Sequence, residues 1–434
     1  MKHHFVVRVE KKFKDNLTVH PLHWKEMLTD RTKMIGTFFS EFDALFSSYQ
    51  FKFWLSKEYG RDQQGTWTDE ELFIGLDCFY RIILQEDYTI PPNFINEIQK
   101  LPHIVDVRDL IIGEAPIPAQ VSQQASITVK KPGELIYLPY AHLLTKGTSS
   151  ITIAVLDTGV NLDHPELKGK IVRHADFVNL EGLDTSAFIS DVKLYEDWPV
   201  DVVGHGTHVS GIIAAKGLQM DEGVCPGCKI LAVRVLATMK SGEKLVGAGI
   251  VDNINNGIKW AVDQGADIIN MSLGIRHTGG GLPHQEVIDY ALHKNVSIVA
   301  ASGNDGTEEK YYPGALPGVI AVGAVDDGGN VTSFTSYGAN ITVVAPGLNV
   351  YSSFTNNGYA FASGTSQASP FVTGVVGLLR SYALKKGRKI GNEQIRYILK
   401  STSDKINSRL RDQRAGYGLI NLADAFKLLD YMLN

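Results

Sequence analysis

Three residues of this 434-residue sequence, Asp157, His205 and Ser366, have the types and surroundings to do chemistry together. A serine hydroxyl is a weak nucleophile at neutral pH and needs a base to take its proton as it attacks a carbonyl. Imidazole is such a base, and a carboxylate on its other ring nitrogen fixes the tautomer and steadies the imidazolium. His205 opens GHGTHVSGIIAA, where the positive end of a helix dipole keeps an imidazole pKa from climbing far. Ser366 lies in FASGTSQASPFVTGVVGLL, with Gly364 marking a tight turn and Pro370 early in an apolar helix. Its hydroxyl is therefore expected at a helix amino terminus, where free N–H groups would also stabilise an oxyanion. Plainer alternatives stand beside each: a turn or cap for Asp157, an N-cap for Ser366. His205 and His208 also have i, i+3 spacing, but no HExxH glutamate accompanies them and Asp201 is a poor substitute, which argues against a metal.

The elements that must position these residues are legible from Ser150 onward. Apolar runs (ITIAVLD, KILAVRVL, DIINMSL, VSIVAAS, VIAVGAV, ITVVAPG) alternate with helical stretches (HVSGIIAA, IVDNINNGIKWAVDQG, EVIDYALHKN, SPFVTGVVGLLRSYALKKG). The runs are apolar throughout, as parallel strands covered on both faces must be, so the expectation is an α/β, doubly wound, mostly parallel sheet. Asp157 ends the first run, at the carboxyl edge where such sheets carry their sites. Residues 1–112 differ in composition and read as a smaller α+β domain: HFVVRVE, FYRIILQ and HIVDVRDL as strands, WKEMLTDRTKMIGTFFSEFDALF and NFINEIQKL as helical. Residues 113–139, with Pro116, Pro118 and Pro132 among Gln and Ser, read as an exposed connector, and 140–434 as the catalytic domain.

DTG around Asp157, HGTHVSG around His205 and GTSQASP around Ser366 resemble the subtilisin-like serine proteases, the subtilases, in the order Asp, His, Ser with separations of 48 and 161 residues. NMSLG at 270–274, ASGNDG at 301–306 and YPG after Tyr311 add to the likeness, which covers about residues 140–430. The resemblance implies a serine endopeptidase working through an acyl-enzyme, with polypeptide substrates. It implies Asn304 as the side-chain oxyanion donor beside the Ser366 N–H. It also implies two substrate-pairing edges, Ser272-Leu273-Gly274 and Gly247-Ala248-Gly249, and Tyr311 as the floor of the primary pocket, a bulky floor that favours small or medium apolar residues before the scissile bond. Asp305 and Glu308-Glu309 raise attraction of a basic side chain as the alternative. The amino-terminal domain resembles in outline the prosegments that chaperone and inhibit this family, which implies a self-processed or N-terminally regulated precursor cut between about Gly113 and Gly133; a permanently attached binding domain is the alternative. Two rivals are a non-catalytic peptide-binding or redox-sensing protein on the same scaffold, and an enzyme that passes its acyl group to an amine.

Departures from the family pattern are local. Gln367 follows the nucleophile where many relatives have methionine. KGLQMDEGVCPGC replaces an Asn-rich calcium loop, and Glu166 stands where an aspartate ligand is usual, so no cofactor is required for the chemistry and a structural calcium ion is left open on carbonyl ligands. Cys225 and Cys228 fit small apolar packing, with a regulatory disulfide or half a zinc site as alternatives; with Cys78 they are too few for a disulfide framework. A formal net charge of −5 without a large basic block argues against nucleic acid. No apolar window reaches the 18 residues needed to cross a bilayer, and the first twenty residues lack a secretory h-region. The expectation is a cytoplasmic protein, with non-classical export as the alternative.

Overall fold

A computed structural model describes residues 3–29, 31–61, 65–116, 131–180, 186–188, 201–242, 244–277 and 282–434. Four antiparallel strands open the chain: β1 (His4–Val9), β2 (Phe53–Lys57), β3 (Phe79–Leu84) and β4 (Ile104–Asp109), in the order β2-β3-β1-β4. Their alternation separates two faces. Phe5, Val7, Tyr80, Ile82 and Val107 pack with α1 (Ser40–Ser48) and α2 (Phe94–Gln99) into a core of their own. His4, Arg81 and Arg108 point the other way. The stretch read as one helical segment from Trp24 is interrupted: Trp24–Thr29 is helical, Ile35 bridges to Leu55, and α1 begins only at Ser40. The intervening Gly36 and a bridge to β2 take priority over local helical spacing.

After β4 comes β5 (Ile112–Pro116), then β6 (Thr152–Asp157), β7 (Ile171–Asp176) and α3 (His205–Ala214). Next are β8 (Lys229–Arg234), β9 (Ala237–Ser241), β10 (Lys244–Ile250), α4 (Val251–Asp263), β11 (Ile268–Met271), β12 (Ile275–Arg276), α5 (Gln285–His293), β13 (Ser297–Ala301) and β14 (Tyr311–Tyr312). The chain closes with β15 (Ile320–Val325), β16 (Ile341–Pro346), β17 (Val350–Ser353), β18 (Tyr359–Ala362), α6 (Thr365–Lys385), α7 (Asn392–Thr402) and α8 (Leu422–Leu433).

Seven strands form one sheet in the order β16-β15-β13-β11-β6-β8-β7, every pairing parallel. All six apolar runs are in it. The seventh strand, IVRHAD, lies at an edge with Val172 half exposed, so it lacks the uninterrupted apolar signature of the others. Ile153 and Val155 face a core shared with α3 and α6, while Ala154 and Leu156 face α4 and α5. Strand order turns back between β6 and β11, and both end where a site is expected in an open α/β sheet.

Of the stretch read as an exposed connector, residues 113–116 instead belong to β5. β5 pairs antiparallel with β10, which also pairs with β9, and Gly113 packs on Ile275 of β12. A waiting strand edge supplies the hydrogen bonds that Pro-rich composition argues against, and Pro116 stands at the end of the strand, where a missing N–H is tolerated. Of the proposed cleavage tract, residues 117–130 lie outside the described residues.

Candidate active site

Asp157 is the last residue of β6, fully buried, and its Oδ1 accepts from His205 Nδ1 at 2.6 Å and from the Thr158 N–H at 2.7 Å. Close approach is possible because Gly206 follows the histidine: a Cβ there would run into the Gly159 carbonyl and lie 3.0 Å from Asp157 Cβ. Burial pushes the His205 pKa down, but the charge and hydrogen bond of Asp157, with Asp201 behind, outweigh it and leave the pKa raised. The helix dipole therefore does not set the direction here. Asp201 is the residue that sequence reasoning undervalued. It accepts from the Gly204 and Thr207 N–H groups at 2.8 Å, from Thr207 Oγ1 at 2.6 Å and from Thr158 Oγ1 at 3.0 Å. One carboxylate thus satisfies the orphan donors that open α3 and ties them to the turn after Asp157. A DxxGHGTH spacing, an acid ahead of a helix start, was the available signal.

Ser366 lies in the first turn of α6, beside α3. Pro370 has no N–H to give the Ser366 carbonyl four residues back, and Ser272 Oγ donates to that carbonyl instead, at 2.9 Å. Ser272 Oγ also meets Ser369 Oγ at 2.9 Å and accepts from Asn270 Nδ2 at 3.0 Å, so the carboxyl end of β11 is pinned to the start of α6. The Ser366 hydroxyl donates to the Ser272 carbonyl at 3.1 Å, while His205 Nε2 has no hydrogen-bond partner among the described residues. Asn304 Oδ1 accepts from the Thr365 N–H at 2.8 Å and from Thr365 Oγ1 at 2.9 Å, which leaves its Nδ2 beside Gly364, next to the turn that carries Ser366. The structure thus joins Asp157 to His205 and brings Asn304 to the turn of Ser366, without a hydrogen bond between Ser366 and His205.

Ser272 is bonded to Ser366, while Gly249 of the other proposed edge packs on the carbonyl of Val235, whose N–H donates to the Asp157 carbonyl at 2.9 Å. Gly247, Ala248 and Gly249 sit on β10 opposite Ala115, Glu114 and Gly113. Ser272-Leu273-Gly274 leads into β12, which pairs with β14 through Ile275 and Arg276. Tyr311 packs against two glycines of neighbouring segments. A Cβ on Gly303 would lie 2.5 Å from its ring and one on Gly274 3.0 Å from its Cβ, so the ring fills the slot between these two glycines. Its hydroxyl donates to Asp305 and accepts from Arg276 Nε at 3.1 Å, and Arg276 also pairs with Asp305 and Glu309. Asp305 and Glu309 are thereby partnered by a cation of the chain itself.

Glu166 is fully buried and accepts from the N–H groups of Gly217, Leu218 and Gln219 at 2.7–3.0 Å and from Tyr359 OH at 3.2 Å. Burial would raise its pKa, but these donors leave it lowered. Donors converging on the carboxylate do the work a cation would do in closing this loop, and they do not fit calcium ligation there. His208 Nε2 faces the carbonyls of Val350 and Ala360 at 3.1 Å, and burial pushes its pKa down to about 4; it fastens the β17–β18 hairpin to α3 rather than holding a metal with His205. Among the described residues no cluster of three His, Cys, Asp or Glu could hold an ion. Cys225 and Cys228 are bonded to each other, fully buried against Gly147 and Gly377, so the lesser of the readings for this pair, a disulfide, is the one observed.

The subtilase family profile matches residues 148–418. A thermophilic serine proteinase of Bacillus sp. (strain AK1) is 40% identical over 274 residues, 62% of this chain and 61% of that one, under two thirds of its length. Thermitase of Thermoactinomyces vulgaris is 39% identical over 274 residues, 63% of this chain and 87% of its own. Among solved structures, the prenylagaramide maturation protease PagA is similar at a TM-score of 0.55 and 30% identity, covering 67% of this chain and 98% of that one.

Proposed function

The chain belongs to the subtilase family and is a subtilisin-like serine endopeptidase, and from that premise we propose that Asp157, His205 and Ser366 are its working triad. The observation that carries the assignment is the buried 2.6 Å bond from His205 Nδ1 to Asp157, which leaves Nε2 as the nitrogen free to act. As substrate enters, the Ser366 hydroxyl turns from the Ser272 carbonyl and gives its proton to Nε2 while Oγ attacks the scissile carbonyl. Catalytic hydrogen bonds commonly tighten only in the substrate complex. Asp157 stabilises the imidazolium without taking the proton. The Ser366 N–H, in the first turn where no helical carbonyl is within reach, and Asn304 Nδ2 bind the oxyanion. His205 then protonates the leaving amine, and water releases the acyl group.

Substrate lies between the Gly247–Gly249 and Ser272–Gly274 edges, and the ring of Tyr311 restricts the residue before the scissile bond to small or medium apolar side chains. A peptide library dominated at that position by Phe or Tyr would refute this. The pairing of β5 with β10 supports the further reading that residues 112–116 occupy that edge as part of a precursor, with the amino-terminal domain as intramolecular inhibitor and the cut downstream. No calcium ion is needed at Glu166 in this scheme. A fluorophosphonate probe should label wild type and not Ser366→Ala, with peptide hydrolysis lost in parallel; labelling of both, or hydrolysis by Ser366→Ala, would overturn the triad. Equal full-length masses of the two proteins would overturn self-processing.

A further inference from the structure

Residues 385–414 carry ten Lys and Arg against three Asp and Glu, in a chain that is acidic as a whole. Part of that excess converges on an open cleft of about 440 Å³. Loop 314–319, between β14 and β15, forms one wall and residues 339–342 another; Arg396 and Lys400 of α7 line it together with Arg411 and Tyr417. Among the described residues none that lines it is acidic. Arg396 and Lys400 are i, i+4 neighbours on one helix, a like-charge pair that destabilises unless something offsets it. Glu393 reaches Arg396 Nη1 at 2.8 Å from a side chain 81% exposed, but Arg396 Nε is buried without a hydrogen-bond partner among the described residues. Lys400 has no ion pair among the described residues; its ammonium stands 5.4 Å from the centre of the Tyr417 ring, with Arg411 5.8 Å from the same ring. The carbonyls of Ala339 and Ile341 hold the Arg411 guanidinium at the cleft wall. Burial, Arg396 and Arg411 all push the Lys400 pKa down, so the site itself resists its own charge.

We propose that this cleft is a binding site for a small ligand carrying a phosphoryl group. Two arginines and a lysine lining one space match a compact dianion, because planar guanidinium forks bind phosphate oxygens in pairs and an ammonium supplies a point charge. A carboxylate brings one charge to the same space and leaves most of the excess unanswered. The cleft is also of the size usual for small-molecule sites. Its wall is joined to the Tyr311 segment, since the Ala315 N–H donates to the Tyr311 carbonyl at 2.8 Å, but binding here does not depend on the peptidase reading.

The test uses the full-length chain carrying Ser366→Ala, which prevents self-digestion, titrated with inorganic phosphate, pyrophosphate, glycerol phosphate and citrate at constant ionic strength without divalent cations. Calorimetry and thermal unfolding should show saturable binding and stabilisation by the phosphates. Arg396→Gln/Lys400→Gln should weaken binding at least tenfold. Lys385→Gln/Arg388→Gln, equally basic residues that do not line the cleft, should leave it unchanged. Without ligand, Lys400→Gln should melt no lower than its parent, because a repelled charge has been removed; that result separates lost binding from lost folding. Tighter binding of glycerol phosphate than of inorganic phosphate would support an esterified ligand, and the reverse would support free phosphate. Absence of saturation, equal weakening by the control pair, or citrate binding as tightly as pyrophosphate would each overturn the proposal.

Discussion

α3 and α6 cover one face of the seven-stranded sheet with Val209, Ile213, Val372, Val376 and Leu379, whereas α4 turns Asp252, Asn253, Asn256 and Lys259 into an interface almost as dry. The second interface is with the amino-terminal sheet. Arg81 grips Glu58 through two nitrogens at 2.6 and 2.8 Å and reaches Asn253 at 3.0 Å. Arg108 bonds Asp252 at 2.7 Å and Glu286 at 3.0 Å, and His4 meets Asp252 at 3.0 Å. Apolar burial on the first face is non-directional and survives small changes in shape. Buried charges on the second are stable only while every partner is in place, and removing one leaves the others uncompensated. One helical layer is built to fold with the sheet; the other is built to receive a separate body.

The catalytic layer should break most sharply at Asp157. Asp157→Asn is expected to lower kcat on the order of 10⁴-fold, the size recorded for the orienting acid of another serine-protease triad, and to leave amide protection in β1 and β3 unchanged. Steady-state kinetics with hydrogen exchange would read both. Asp252→Ala should do the converse. It strands Arg108 and His4 and should weaken docking by about 3–5 kcal/mol, seen as faster exchange in β1 and β4 while that in β11 and β13 holds. Equal losses in both sheets would erase the distinction.

Acid should sharpen it further. Burial holds the pKa of His4 near 4 and those of His23 and His284 near 3, all in or beside the docking interface. Each is depressed from 6.5, so the undocked, solvated form binds more protons at intermediate pH. Their contribution is present above pH 6.5 and is lost as pH falls toward 4 and then 3. Each tenfold loss of proton affinity is worth about 1.4 kcal/mol, which makes about 3 kcal/mol for His4 alone. Glu58, whose pKa is raised by burial, acts in the opposite sense. Docking should therefore weaken on acidification from 6.5 to 4, measured by proteolysis of residues 3–109 in Ser366→Ala. His205 has the other sign: its stabilisation is present below 6.5 and is lost as pH rises through its raised pKa, and with His205 as the proposed base, activity should rise over that same upper range. The smallest expected effect lies at Gln367: with no thioether beside Ser366, mild peroxide should leave activity unchanged, and rapid first-order loss without chain cleavage would contradict this.

The sheet was legible because parallel strands covered on both sides must be apolar throughout; Thr152–Asp157 and Ser297–Ala301 have no other reading once helices separate them. β10 was legible only through the family resemblance that put Gly247-Ala248-Gly249 on an edge, since a glycine-bearing edge has little side-chain signature of its own. The three segments of the centre were legible from residue types, but the dependence of the α3 start on Asp201 and of the Pro370 gap on Ser272 was not, because hydrogen bonds between distant segments leave no local pattern. The docking face was the least readable of all. Asp252, Asn253, Asn256 and Lys259 on a helix normally signify a solvated side, and only the presence of Arg81, Arg108 and Glu71 opposite makes them interior residues.

An edge strand has one row of free donors and acceptors, and on β10 that row already belongs to Ile112–Pro116. The occupant is spliced to the same polypeptide, so diluting the protein a thousandfold does not change how often the two meet. Only scission of the backbone, or the lifting away of this short ribbon, can make the edge vacant for another chain.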